Sequence, residues 1–338
     1  MLHTLYGETM GTRWRVDLFA APSAPLHAWH AAVQAALDAV VAQMSDWEPG
    51  SDISRFNRAP AGSWHVLPDA AFAVLGCALE VAAASGGAYD PTVAPLVGLW
   101  GFGAHGRPGP APTAEAVAQA RTRVGWQRLQ VDARARRVCQ PGGCWLDLSA
   151  IAKGHAVDAV ADCLQRAGVA AALVDVGGEL RGFGRKPDGS PWRVLVEAPG
   201  DDGEDAEGAP PPCVLVLDGA AAATSGDQWH HVVDGDGRRL SHTIDPRTGR
   251  PVVDAPAAVT VVAASAMEAD AWATALTVMG AAEGLAFARR HAMAVRFLVR
   301  TAAGSEAHAT PAFEAMRVPA RATGGDRAPP RPVEAPPR

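Results

Sequence analysis

Apolar residues recur at helical spacing over 28–44 (AWHAAVQAALDAVVAQM), and again over 69–85 (DAAFAVLGCALEVAAAS) up to the helix-stopping pair Gly86-Gly87. A short helix is expected near 113–123, after the loop GAHGRPGPAPTAEA, and LQVDARARRVCQ reads as two short strands around a turn. WLDLSAIAKGHAVDAVADCLQRAG predicts a strand, a tight loop and a helix. ALVDVGGELRGFG reads as a strand ending in glycines, and WRVLVEA as another. The strands VLVLDGAAAATS and AAVTVVAAS follow, the second feeding a helix over 267–280 (MEADAWATALTVMG). Two stretches have compositions that cannot pack: the acidic loop PGDDGEDAEGAPPP at 199–212, and the tail VPARATGGDRAPPRPVEAPPR from 318.

The helix over 267–280 raises a chemical question. Asp270 and Thr274 are one turn apart and share a stripe with Ala271 and Val278, which is otherwise apolar and expected to be buried. A buried carboxylate needs a partner. Ser265 and Glu268 form an S-x-x-E capping box, which accounts for Glu268 but leaves Asp270 unexplained. Two readings stay open: a side-chain hydrogen bond in the core, or a hard cation held by two oxygens.

Composition narrows the field. A chain of 338 residues, 48% of them hydrophobic, can bury a large core, and its net charge of −6 with scattered basic residues argues against a nucleic-acid partner. No apolar run approaches the ~20 residues of a membrane helix. The start MLHTLYGETMGTRWRVDLFA lacks a basic region followed by an apolar one, so the expectation is a cytoplasmic protein. Five cysteines without a C-x-x-C pair fit neither a disulfide framework nor a zinc site and are expected to be reduced packing residues.

Four further segments concentrate chemistry, each with a plainer reading beside it. MGTRWRVDL at 10–18 is a Gly-Thr turn before a strand, or simply a strand start. GGAYDPTVAPLVGLWGFG at 86–103 sets Tyr89-Asp90-Pro91-Thr92 in a turn whose free backbone groups suit a ligand, or whose Asp90 forms an Asx turn capping the next element. LDLSAIAKGHAVD at 146–158 puts Asp147 at a strand end and Lys153 beside Gly154, either meeting phosphate or forming an Asp147–Lys153 ion pair; it is not a Walker A loop. TSGDQWHHVVDGDGRRLSHTIDPRTGRPV at 224–252 reads as a strand pair around Asp234-Gly-Asp-Gly, with His242 before the turn at Asp245; its Asp-Gly steps lack the calcium-loop spacing. Taken alone, His242 reads as a structural histidine more readily than as a catalytic one.

Their order is more informative than any one of them. MGT, MSDWEPGSDISRFN, GGAYDPTVAPLVGLWGFG, LDLSAIAKGHAVD, LVDVGGELRGFG, ATSGDQ, SHTIDPRTGRP and MEADAWATAL run in the order and spacing of the ApbE family, the FAD:protein FMN transferases, and the resemblance spans roughly residues 7–300. It implies an α+β fold of mixed, largely antiparallel sheets packed with helices, with one catalytic domain over 1–317 and a Pro-rich disordered tail over 318–338. It also implies a magnesium-dependent enzyme that cleaves FAD, attaches FMN through a phosphoester to a Thr or Ser of an acceptor flavoprotein, and releases AMP. Carried onto this chain, the family's FAD contacts are Met10, Trp47, Ala88, Tyr89, Asp90, Asp147, Lys153 and His242. Its metal ligands are the Ala150 carbonyl, Asp270 and Thr274, and its catalytic groups His242 and Asp270. Two rival readings use the same motifs: an FAD pyrophosphatase giving free FMN and AMP, and a non-catalytic flavin-binding protein, which would not need the Asp270–Thr274 pair. Many members carry a signal peptide and a lipid-modified cysteine before MGT, whereas nine residues without cysteine precede Met10 here; a misassigned start would make this a periplasmic, membrane-anchored protein.

Overall fold

The computed structural model describes residues 1–318 apart from 108, 197–209, 211, 227–230, 234–238, 254 and 302–303. Most of the expected acidic loop, the turn at the two Asp-Gly steps and the tail beyond Val318 therefore lie outside the described residues. Val318 itself is tied to the body, its N–H donating to the Val214 carbonyl at 2.8 Å.

Eight strands build the central sheet: β1 (Leu2–Thr9), β2 (Thr12–Phe19), β3 (Ala172–Val176), β4 (Glu179–Phe183), β5 (Ala221–Ser225), β6 (Ala258–Ala263), β7 (Ala294–Thr301) and β8 (Gly304–Ala309). Their order across the sheet is their order along the chain, and every neighbouring pair is antiparallel. With helices packed on it, the architecture is α+β and largely antiparallel, as the resemblance implies.

Four long helices, α1 (Leu26–Met44), α2 (Asp69–Ala84), α3 (Ser149–Arg166) and α4 (Ala266–Arg290), cover one face. The matching periods make that layer possible. On β2, Trp14, Val16 and Leu18 alternate inward, while α1 presents Val33, Leu37, Val40 and Met44 from one stripe; all join a single core with Ile151, Val157 and Val160 of α3. Ala222 of β5 points the other way, towards a hairpin of Trp192–Val196 and Cys213–Leu217 and the short helix Pro311–Glu314, where Trp192, Leu215, Leu217 and Phe313 are buried together.

Several sequence expectations need correction. WLDL is not a strand: Trp145 makes an isolated parallel bridge to Val93, and the chain enters α3 directly at Ser149, so Lys153 and Gly154 lie in a helix and not a loop. Asp147 causes this, because its Oδ1 accepts from the Ser149 N–H and hydroxyl and starts the helix two residues on. ALVDVGGELRGFG is two strands, β3 and β4, since Gly177 (φ 62°) and Gly178 (φ 99°) supply the positive φ angles that a two-residue hairpin turn requires. The pattern also leaves β1, β7 and β8 unassigned. The helix expected to end at Gly280 breaks there (φ 74°, ψ 173°) and continues to Arg290.

Other expectations hold. Ser265 caps α4 by accepting from the Glu268 N–H at 3.2 Å, and all five cysteines are free. α4 is the one described helix long and apolar enough to cross a membrane by length and composition, but it packs inside the fold, with 56% of its most apolar window buried.

Candidate functional site

The site is built where α3 and α4 touch. Gly154 makes the contact possible, since a Cβ there would stand 2.2 Å from the Ala266 carbonyl oxygen. The close approach brings the Gly154 N–H to Asp270 Oδ2 at 2.9 Å, across 116 residues of sequence. In a regular helix that N–H would point at the Ala150 carbonyl. Ala150 instead departs from helical geometry, with φ −89° and ψ 18°, which swings its carbonyl off the hydrogen-bond ladder. Asp158, one turn beyond Gly154, fixes the same junction by accepting from the Ala266 and Met267 N–H groups at 3.1 and 2.9 Å.

Asp270 is buried at 5% exposure. Burial pushes its carboxyl above the ordinary range, opposed by the nearby Lys153 charge and the Gly154 N–H. Thr274, one turn further along α4, is half-buried, and its hydroxyl has no hydrogen-bond partner among the described residues. The anticipated stripe is therefore present, with Asp270, Ala271 and Val278 buried and Thr274 at its rim. One carboxylate, one hydroxyl and one displaced carbonyl are an all-oxygen set that fits a hard cation. No group of three His, Cys, Asp or Glu side chains competes for that role among the described residues.

The positive charge of the site is Lys153, and its partner is not Asp147. Its Nζ donates to Glu179 Oε1. Burial works against the lysine's charge, but Glu179 and Asp270 outweigh it and hold its pKa above the usual value. Glu179 is 2% exposed; burial, reinforced by the Asp270 charge and offset by Lys153, pushes its carboxyl up to about 8. Its Oε2 is buried with no hydrogen-bond partner among the described residues. The Tyr89 hydroxyl is a second buried polar atom with no partner, its pKa raised well above the ordinary value by burial and then by the charges of Asp270 and Asp147.

Around this centre stand the other sequence-derived residues. Met10, in the left-handed region (φ 49°), forms the β1–β2 turn with Gly11 and packs on the main core. That end of the sheet adjoins the Gly177-Gly178 turn, whose Gly177 N–H donates to the Arg13 carbonyl. Ala88 is 1% exposed. Asp90 forms the anticipated Asx turn, and its carboxylate is fully engaged: Oδ1 accepts from the Thr92 N–H (2.8 Å) and hydroxyl (2.7 Å), and Oδ2 from the Trp126 N–H (3.1 Å). Trp47 stands 66% exposed. Its neighbour Asp46 is buried, and burial together with the Asp147 charge raises its carboxyl to about 7.

His242 is half-buried between Ser241 and Thr243, at the start of the small hairpin that pairs Ile244–Asp245 with Arg250–Pro251. That hairpin packs against the Gly-Gly turn. Pro246 and Arg247 join Gly86, Gly87, Asp90 and Trp126 around a cavity of about 200 Å³, and Trp100 Nε1 donates to the Gly249 carbonyl at 2.8 Å. Arg247 also reaches Glu283 on α4 beyond the Gly280 break, at 3.6 Å. The fold thus gathers the motifs of 86–90, 147–154, 177–179 and 270–274 at one centre, with the His242 segment alongside the first. Sequence reasoning missed Glu179 and Asp46. Both lie in motifs it quoted, and the one signal for Glu179 was an acid directly after a glycine pair in an apolar stretch.

The ApbE family model matches residues 10–298. The chain is 37% identical to a FAD:protein FMN transferase of Klebsiella pneumoniae, over 93% of this chain and 89% of that one. It is 36% identical to one of Vibrio cholerae, over 92% and 91%. Among solved structures, the Pseudomonas stutzeri flavinyl transferase ApbE in its apo form is similar with a TM-score of 0.85 and 39% identity, covering 94% of this chain and 96% of that one. The flavin transferase ApbE from Vibrio cholerae is similar with a TM-score of 0.84 and 34% identity, covering 94% and 100%.

Proposed function

The chain belongs to the ApbE family, and from that premise we propose that it is a magnesium-dependent FAD:protein FMN transferase, moving FMN from FAD onto a Thr or Ser of an acceptor flavoprotein and releasing AMP. The observation that carries the reading is the Asp270 carboxylate. One of its oxygens is held by the Gly154 N–H and the other has no hydrogen-bond partner among the described residues; Ala150, four residues before Gly154, leaves helical geometry, and Thr274 follows one turn along α4. The second Asp270 oxygen, the Ala150 carbonyl and the Thr274 hydroxyl would hold the magnesium. When bound, the ion supplies charge neutralisation at the pyrophosphate, the main demand of phosphoryl transfer.

The chain's own residues do the rest. Lys153, kept charged by Glu179 and Asp270, offers a point charge to a phosphate oxygen. Ala88 and Tyr89 are buried, and the Tyr89 hydroxyl has a hydrogen bond to give. In the transfer, the acceptor's hydroxyl oxygen forms a bond to the FMN phosphorus, the anhydride bond to AMP breaks, and AMP departs with the bridging oxygen. The hydroxyl proton passes to a base, a role we assign to His242.

The test is to incubate the purified protein with FAD and magnesium, with and without an acceptor flavoprotein. Covalent flavin fluorescence on the acceptor with stoichiometric AMP, both abolished by chelation, is expected. AMP release at an equal rate without acceptor, with the acceptor unlabelled, assigns the protein as an FAD pyrophosphatase instead.

A further inference from the structure

Glu179 has a role that neither capping nor packing explains. It opens β4 directly after the Gly177-Gly178 turn and points under the helix layer at 2% exposure. One oxygen accepts from Lys153 Nζ and the other has no partner among the described residues. A carboxylate that served only to hold the fold together would not be left with a buried, unpaired oxygen, because that costs stability. The charge of Asp270, the carboxylate expected to ligate magnesium, also acts on it. Three ionisable groups therefore lie together: two buried carboxylates and one half-buried ammonium, summing to a single negative charge when all are ionised.

We propose that Glu179 is a positioning residue that sets the affinity of the Asp270 cation site, by tethering Lys153 and cancelling its positive charge so that a divalent ion can settle beside it. This rests on the metal reading above. Without Glu179, Lys153 would have Asp270 as its remaining counter-charge, so the carboxylate needed by the divalent ion would be neutralised by the lysine and the incoming ion repelled. Lys153 would also be free to fold onto Asp270 and compete for the ligand oxygen. The division of labour follows from the pair's geometry. Lys153 needs its charge for phosphate, and Glu179 makes that charge compatible with a metal on the adjoining helix.

The experiment reads metal binding directly, by titrating the full-length protein at pH 8.5, where Glu179 is ionised, with Mn2+ as a probe for the Mg2+ site and following free Mn2+ by electron paramagnetic resonance, with no FAD present. Glu179→Gln keeps an acceptor for Lys153 and removes the charge; Mn2+ affinity should fall by at least about tenfold. The double variant Lys153→Met/Glu179→Gln restores the original charge sum and removes the ion pair as a unit, a change buried pairs tolerate. Its affinity should return to within about threefold of wild type. That restoration separates charge balance from damage to the fold. Equal Mn2+ affinity in wild type and Glu179→Gln overturns the inference while leaving the metal site intact, and so does a double variant no better than the single one. A wild-type protein that binds no Mn2+ overturns the metal reading and this inference with it.

Discussion

Asp90 and Asp270 are both buried aspartates in matched motifs, and the fold treats them in opposite ways. Asp90 receives three hydrogen bonds, two from Thr92 and one from the Trp126 backbone, and stitches the 86–92 turn to the 125–128 segment. Among the described residues Asp270 receives one, from Gly154, which leaves its other oxygen open, with the Lys153 charge nearby and the Thr274 hydroxyl one turn along the helix. Burial raises both carboxyls, so burial alone does not separate a structural acid from a ligand. The number of donors does: a saturated carboxylate has nothing to offer a cation, while an under-satisfied one invites it.

The sharpest way to break this contrast is Asp270→Ala, which should cost more than about 10³-fold in magnesium-dependent turnover with the fold retained, since several kcal/mol of transition-state charge stabilisation are at stake. Full FAD cleavage by that variant would refute it. Thr274→Ala should lose less, a neutral hydroxyl being the weaker ligand. Next in size is His242→Ala. If it takes the acceptor's proton, transfer at saturating FAD should drop by roughly 10²–10⁴-fold, with FAD affinity by flavin fluorescence unchanged. Weakened affinity with a near-normal saturated rate would make His242 a positioning group instead.

On the other side of the contrast, Asp90→Ala should act on stability, leaving the Thr92 and Trp126 donors without their acceptor at a cost of about 2–4 kcal/mol. Its denaturant midpoint should fall while Mn2+ affinity holds. Loss of metal affinity without loss of stability would erase the distinction between the two aspartates.

The smallest effect is a pH dependence at Asp46. Its carboxyl titrates at about 7 in the folded protein, through burial and the Asp147 charge, against ~3.9 when unfolded. The folded state therefore holds this proton more tightly. That contribution to stability is fully present below ~4 and is lost as pH rises through about 7. Asp46→Asn should melt a few degrees higher than wild type at pH 8, with the gain shrinking steadily towards pH 4.5. A gain independent of pH would show that the Asp46 charge is not the cause.

Much of the frame was legible in the sequence because its signals are local. The 3.6-residue period placed α1, α2 and the start of α4 to within a few residues, the Ser265–Glu268 pair marked a helix start, and the one-turn spacing of Asp270 and Thr274 put both on one stripe before any tertiary contact was known. The strands β1 and β8 escaped notice because they are the sheet's edges, where half-exposed residues blur the alternation. The hairpin of β3 and β4 was hidden by the two glycines that make it possible.

What the chain alone determined, then, is where its helices run, which oxygens share the Asp270 stripe, and which family its ordered motifs resemble, since each is written in neighbouring residues. Only the tertiary structure decided the partners. Lys153 pairs with Glu179 across 26 residues and not with the nearer Asp147, and Asp270 takes the Gly154 N–H across 116. The reason is geometric: a long-range pair depends on the order of strands in the sheet and on how closely two helices can approach. Gly154 permits that approach, but a lone glycine in a helical pattern does not say which backbone will lie against it.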